Sequence, residues 1–341
     1  MAGGRRPWQR IMFGAFGLVL VVATFGYFLP KIADYRDVWD VVDELTWPWI
    51  LALLGATILN VVTFAPPWQV ALPGLRFISA LTVTQLSTAL SIVFPGGAAV
   101  GIASSYGILR SWGFPSREIG RAVTLVSLWN QFANLSYPII AIFLLSATGA
   151  NFAVLQTAAF IGAGVLFVAV AMLAAVLASD ELATNLGDLS ARTVSWVKGK
   201  IRKGPVHWSG ESFERFRRDS LDLLRRRWHL LTLTTYLGTL TVFLVLLIAL
   251  RALGVPASEV SLAEAFAAWS LARILGSFPI TPGGDGVVEL GLTGALLAFG
   301  GSNAGVVAAV LLYRFLTMVP TLLLGLLAAA AARRREAHAR A

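Results

Sequence analysis

Two short stretches decide how this chain folds: residues 279–289, which read PITPGGDGVVE, and residues 94–97, which read FPGG. In each, a Pro-Gly-Gly sequence separates two apolar segments. Proline and glycine end helices, and irregular backbone survives at membrane depth only where protein or a water-filled cavity covers it. The apolar stretches that follow, 96–109 and 286–299, would form helices about 21 Å long, too short for a hydrocarbon core of about 30 Å. We therefore predict two re-entrant helical hairpins, with four ordinary spans joined by kinked connections as the alternative.

The composition outside these stretches predicts a membrane protein. Of the 341 residues, 57% are hydrophobic and 13% are charged, and the mean hydropathy is +0.75, whereas soluble domains carry about 25% charged residues. We predict an all-α protein with about six full transmembrane helices and the two hairpins, forming one polytopic membrane domain over residues 1–341. The apolar runs lie at 11–29, 47–65, 77–94, 122–147, 152–178, 230–250, 262–278 and 303–331.

The first apolar run could instead be a signal peptide. It is longer than an ordinary signal-peptide core, and no A-x-A cleavage pattern follows it. We interpret it as the first retained span.

Loop charges predict the orientation of the chain, because Lys and Arg are enriched in cytoplasmic loops. The acidic segment between the first two runs is expected outside, and the arginines near Arg110 and Arg117 are expected inside. The basic amphipathic segment 179–229 and the tail around Arg334 are also expected inside. Both termini are then cytoplasmic, in a multi-pass protein of the cell membrane. The basic segment either serves only as this orientation signal or holds anionic lipids at the cytoplasmic surface.

In this predicted orientation, the first hairpin enters the membrane from the cytoplasmic side and the second enters from the outside. Residues 47–178 and 230–332 then resemble the inverted-topology repeats of many secondary transporters. Sequence identity between the two halves is slight, so the repeat is inferred from the pattern of runs and breaks.

Several classes of function are not favoured by the sequence. The net charge of +9 comes from loops and termini, which argues against a nucleic-acid partner. There is no cysteine, and the three histidines lie far apart without metal-ligand spacing. The chain has no G-x-S-x-G sequence and no P-loop. We expect no enzyme activity, no catalytic residue, no metal site and no cofactor.

The second half places ionisable residues inside apolar segments, where each costs at least about 2.5–3.5 kcal/mol to insert. They are Arg273, Asp285, Glu289 and Arg314. They form either a buried ion-pair clamp or a polar site for a charged headgroup. The helix expected after Gly283 and Gly284 would also present free N–H groups to an anion.

The first half has no charged residue from Phe77 to Leu109, but polar side chains follow in the next span. Asn130 and Asn134 share one helix face at i,i+4 spacing. They either form hydrogen bonds between helices or line the opposite wall of the same cavity.

Residues 279–289, followed by Leu312-Tyr313-Arg314, resemble the lysylphosphatidylglycerol synthase transmembrane family, also called flippase-like. The resemblance implies a lipid-flipping membrane domain of the kind that some members fuse to a cytoplasmic aminoacyl-lipid synthase. It also implies that Glu289 and Arg314 are the family's charged positions. We expect no soluble synthase domain within residues 1–341.

We therefore expect a flippase or translocator that binds the headgroup of a phospholipid or lipid-linked glycan in a cavity inside the membrane. The alternative is a non-transporting membrane partner that organises an enzyme of lipid or cell-envelope glycopolymer synthesis. A separate synthase or glycosyltransferase is a candidate partner in either case.

Overall fold

The computed structural model describes residues 40, 43–94, 97–146, 153–178, 210–277, 284 and 286–340. Within this part of the chain the regular structure is helical, without strands. The helices are α1 (Trp47–Thr63), α2 (Pro66–Ala71), α3 (Phe77–Val93), α4 (Gly97–Ser111), α5 (Ser116–Ser146), α6 (Ala153–Ala178), α7 (Gly210–Ala252), α8 (Leu262–Ser277), α9 (Val287–Ala298) and α10 (Asn303–Arg340).

Four stretches of the described chain are long and apolar enough to cross a bilayer: 47–71, 116–146, 216–252 and 303–328. Shorter apolar helices cover 77–93, 160–175 and 287–298. A chain with several such helices is a multi-pass, all-helical membrane protein. The predicted first span, 11–29, lies outside the described residues.

The two pairs of helices around the Pro-Gly-Gly breaks pack side by side, α3 against α4 and α8 against α9. Glycine permits the first contact: a Cβ on Gly97 would fall on the backbone carbonyl of Ser91, and one on Gly101 would meet the hydroxyl of Ser91. Side-by-side packing of this kind is required both by re-entrant hairpins and by pairs of ordinary spans.

The pairs are also packed crosswise between the two halves of the chain. Helix α3 lies along α10, and α8 lies along α5. Helix α4 contacts α5, α9 contacts α10, and α1 contacts α7. Each half thus supplies the surface that covers the first helix of the other half's pair.

An aromatic cluster forms the centre of the core between α5, α7 and α8. The ring of Tyr137 lies 5.8 Å from Phe266 and 4.9 Å from Trp269 between centroids. Phe243 lies 5.1 Å from Phe266. The hydroxyl of Tyr137 forms a hydrogen bond with the hydroxyl of Thr239, so the buried phenol retains a polar partner.

One boundary differs from the prediction. Helix α7 runs without interruption from Gly210 to Ala252, so residues 210–229 of the predicted basic amphipathic segment are continuous with the span predicted at 230–250. The reason is local: after Pro205 no proline interrupts this stretch, which is rich in the good helix formers Leu, Arg and Glu. Residues 179–209 lie outside the described part of the chain.

Candidate functional site

A buried ion pair joins the start of α9 to the middle of α10. The Nε of Arg314 lies 2.6 Å from the Oε1 of Glu289, and the exposed fractions of the two side chains are 14% and 3%. The second carboxylate oxygen of Glu289 accepts a hydrogen bond of 2.7 Å from the backbone N–H of Gly286. Both oxygens of Glu289 are therefore engaged.

The local sequence explains why Glu289 can reach back to Gly286. Gly284 and Gly286 adopt positive φ values of 72° and 85°, a region that L side chains rarely occupy. The chain can therefore turn sharply into α9, whose first residue is Val287. Glu289 is the third residue of this helix, the position from which a carboxylate satisfies a free N–H at a helix start.

Arg273, on α8, has a different environment. Its Nε and Nη2 donate to the side-chain Oδ1 of Asn134 on α5, at 3.1 and 2.7 Å. Its guanidinium carbon lies 5.6 Å from the ring centroid of Trp269, within the range of a cation–π interaction. Arg273 is therefore held by an amide oxygen and an aromatic face.

These groups lie at similar depth along their helices. Arg273 follows Leu262 by eleven residues, and Arg314 follows Asn303 by eleven. Asn134 precedes the end of α5, Ser146, by twelve. At 1.5 Å per residue these distances are about 16–18 Å, so the three groups lie at similar distances from these helix ends.

Three of the four predicted ionisable residues are described, and their partners differ. Glu289 and Arg314 form the ion pair, whereas Arg273 contacts no acidic side chain within the described residues. The sequence had placed both arginines and both acids in one set. Arg273 lies on α8, which packs on both α5 and α9, and its side-chain hydrogen bonds go to Asn134 on α5.

The other site residues predicted from the sequence are Gly283, Gly284, Asp285 and Asn130. Gly284 is buried, with its backbone close to Gly276 and Val288. Asn130 donates to the carbonyl of Val126 in its own helix at 2.9 Å and is not among the groups that hold Arg273. Gly283 and Asp285 lie outside the described residues.

Three contributors were missed by sequence reasoning: the backbone N–H of Gly286, the ring of Trp269, and the pairing of Gln131 with Asn134. Two of these carried a sequence signal: Trp269 lies four residues before Arg273, and Gln131 lies three residues before Asn134, each pair on one helix face. The role of the Gly286 N–H depends on where the backbone turns into α9.

The described residues thus define a polytopic helical membrane protein with Arg and Glu side chains packed among its apolar helices. The model of the family described as "Lysylphosphatidylglycerol synthase TM region" matches residues 14–325. This match covers most of the chain, and the protein belongs to that family. A comparison with curated proteins found no match.

Proposed function

We propose that this protein translocates a lipid or lipid-linked glycan across the cell membrane and binds the anionic part of its headgroup at Arg273. The observation that supports this proposal best is the contrast between the two arginines. Arg314 is neutralised by Glu289, while Arg273 is held by Asn134 and Trp269 without an acidic contact in the described chain. A cation at this depth favours the arrival of an anion.

The guanidinium of Arg273 has the capacity to bind such a group. Arginine carries five N–H donors, and the hydrogen bonds to Asn134 use two of them. A phosphate binds the guanidinium fork through two parallel hydrogen bonds. The hydrogen bonds to Asn134 and the contact with the Trp269 ring hold the guanidinium before a ligand arrives, which lowers the ordering cost of binding.

The proposal includes two re-entrant hairpins in an inverted repeat. The close contacts within α3–α4 and α8–α9, and their crosswise packing on α10 and α5, support it. Many transporters place substrate sites at such repeat interfaces, beside broken helices. In this arrangement the Glu289–Arg314 pair fixes the tip of the second hairpin, and Arg273 presents the charge.

The proposed partners follow from the site and from the basic surface. Anionic lipids would collect near Arg225, Arg226 and Arg227 on the proposed cytoplasmic side, because each basic residue near a membrane surface contributes about 1 kcal/mol. A separate synthase or glycosyltransferase would supply or use the translocated lipid.

The test compares Arg273→Gln with Arg273→Lys and with Arg110→Gln, which removes an exposed arginine elsewhere. Each variant is reconstituted into phosphatidylethanolamine–phosphatidylglycerol vesicles that contain fluorescent NBD-phosphatidylglycerol. Dithionite quenching measures translocation, and mass spectrometry identifies lipid retained by the purified protein. We expect Arg273→Gln to lose about tenfold or more in rate and retained anionic lipid, because a charge-assisted hydrogen bond contributes about 1.5–3 kcal/mol.

Two control variants separate the effect of the charge at position 273 from a general effect of removing an arginine. Arg273→Lys should retain part of the rate, because the charge remains without the bidentate fork, and Arg110→Gln should match the wild type. A folded Arg273→Gln variant with the wild-type rate would contradict binding at Arg273. Absence of translocation in the wild-type protein itself would favour the alternative role, a non-transporting partner of a synthesis enzyme.

A further inference from the structure

An apolar groove of about 590 Å³ runs between α5 and α6, outside the charged site. Its walls include Leu128 and Phe132 from α5, and Gly164, Ala169 and Leu173 from α6. Every lining side chain is apolar. Its volume falls within the range of ligand pockets in proteins, about 300–1,000 Å³.

The groove has the length of one leaflet's hydrocarbon layer. Along α6 it extends from Gly164 to Leu173, which is about 14 Å at 1.5 Å per residue. Half of a bilayer core is about 15 Å. Gly164 lacks a side chain, and a Cβ there would meet nothing within 4 Å, so the groove is open at this residue.

A chain of polar contacts leads from Arg273 to the edge of this groove. Asn134 accepts from Arg273 through its Oδ1, and its Nδ2 donates to the Oε1 of Gln131 at 3.1 Å. Gln131 is exposed and follows Leu128, which lines the groove, by three residues. Side chains three residues apart on a helix are neighbours.

We propose that the groove holds one acyl chain of the lipid whose anionic headgroup binds Arg273, with Gln131 and Asn134 contacting the polar region between them. This inference rests on the proposed function and specifies its substrate class: a lipid with an anionic headgroup and an acyl chain, which enters laterally between α5 and α6. The adjacency of an apolar groove and a polar route to an arginine without an acidic contact in the described chain supports this occupant.

The test uses a phosphatidylglycerol with a photoreactive diazirine in its acyl chain, incorporated into vesicles with the full-length protein. After illumination, mass spectrometry maps the cross-linked residues. We expect few adducts at the outward residues of α6, such as Phe167 and Ala174. Adducts should concentrate at the groove-lining residues Leu128, Phe132, Gly164, Val165, Val168, Ala169, Met172 and Leu173. Equal labelling around α6 would indicate bulk lipid only and would overturn the groove as a site.

A matched pair of variants provides an independent measurement. Ala169→Trp fills the groove, whereas Ala174→Trp adds the same side chain to the exposed opposite face of α6. We expect Ala169→Trp to reduce groove adducts and translocation by about tenfold relative to Ala174→Trp, because several methylenes lose their burial. Equal rates and adducts for the two variants would contradict the groove.

The two proposals fail in distinguishable ways. If Arg273→Gln slows translocation but Ala169→Trp does not, the headgroup site stands and the groove is wrong. If the reverse holds, the acyl chain is bound there but Arg273 is not the headgroup site. Adduct mapping on the wild-type protein decides the groove even if Ala169→Trp fails to fold.

Discussion

Glu289 connects two elements through a single carboxylate. One oxygen pairs with Arg314 and the other accepts the N–H of Gly286, so the start of α9 is fixed against α10. With the side chain 3% exposed, loss of either charged partner would leave the other charge buried. This pair therefore has a positioning role, distinct from the ligand-binding role proposed for Arg273.

We predict that Glu289→Leu and Arg314→Met each destabilise the protein by about 3–5 kcal/mol, because each leaves an uncompensated buried charge. The double variant should lose less than the sum, since an apolar pair can replace a buried ion pair. Chemical unfolding of the purified protein in detergent micelles measures the three free energies. Strictly additive losses would show that the pair does not act as a unit.

At the level of elements, the helix pairs depend on residues without side chains. Gly97 and Gly101 allow α4 to approach the backbone and the hydroxyl of Ser91 on α3. Gly107, farther along α4, would direct a Cβ into open space. The two ends of one helix therefore differ in what an added methyl group would meet.

Gly97→Ala and Gly107→Ala should accordingly have effects of opposite sign. At Gly97 the added methyl group would collide with the backbone of Ser91. Overpacking of this kind costs about 1–3 kcal/mol of stability. At Gly107 alanine should stabilise the helix by about 0.5–1 kcal/mol. Thermal unfolding of the detergent-purified variants measures both. Stabilisation by Gly97→Ala would contradict the close approach of α3 and α4.

At the scale of the whole molecule, one contact links the beginnings of two spans. The Nε of Arg117, at the start of α5, lies 2.6 Å from the Oδ2 of Asp219, near the start of α7. These helix ends therefore lie on the same side of the protein, as the predicted threading requires. The pair is partly exposed and contributes little to stability, but it is a useful marker of sidedness.

The threading is tested by single cysteines, which have no background in a chain without cysteine. We predict that Ser258→Cys and Asp40→Cys react with a membrane-impermeant maleimide added to intact cells. Arg110→Cys and Arg334→Cys should react only after the membrane is permeabilised. The physical basis is the excess of Lys and Arg on the cytoplasmic side. External labelling of Arg110→Cys would contradict the orientation.

The sequence by itself determined the class of protein and the positions of its helices. Apolar runs must become helices in a bilayer, because every backbone polar group there needs a hydrogen-bond partner, and Pro-Gly-Gly must interrupt them. The short helices predicted at 96–109 and 286–299 appear as Gly97–Ser111 and Val287–Ala298. The sequence also identified Arg273, Glu289 and Arg314 as charged residues within apolar segments, where ionisable residues are rare.

Only the tertiary structure decided which of these charges meet. Glu289 pairs with Arg314, twenty-five residues away, whereas Arg273 bonds to Asn134, which is 139 residues away on another span. Asn130 shares a helix face with Asn134, and nothing in the sequence favoured either one as a site residue. In the structure Asn130 forms a hydrogen bond within its own helix. Helical spacing fixes which side chains share a face; the partner of that face depends on how the helices pack, which no local pattern encodes.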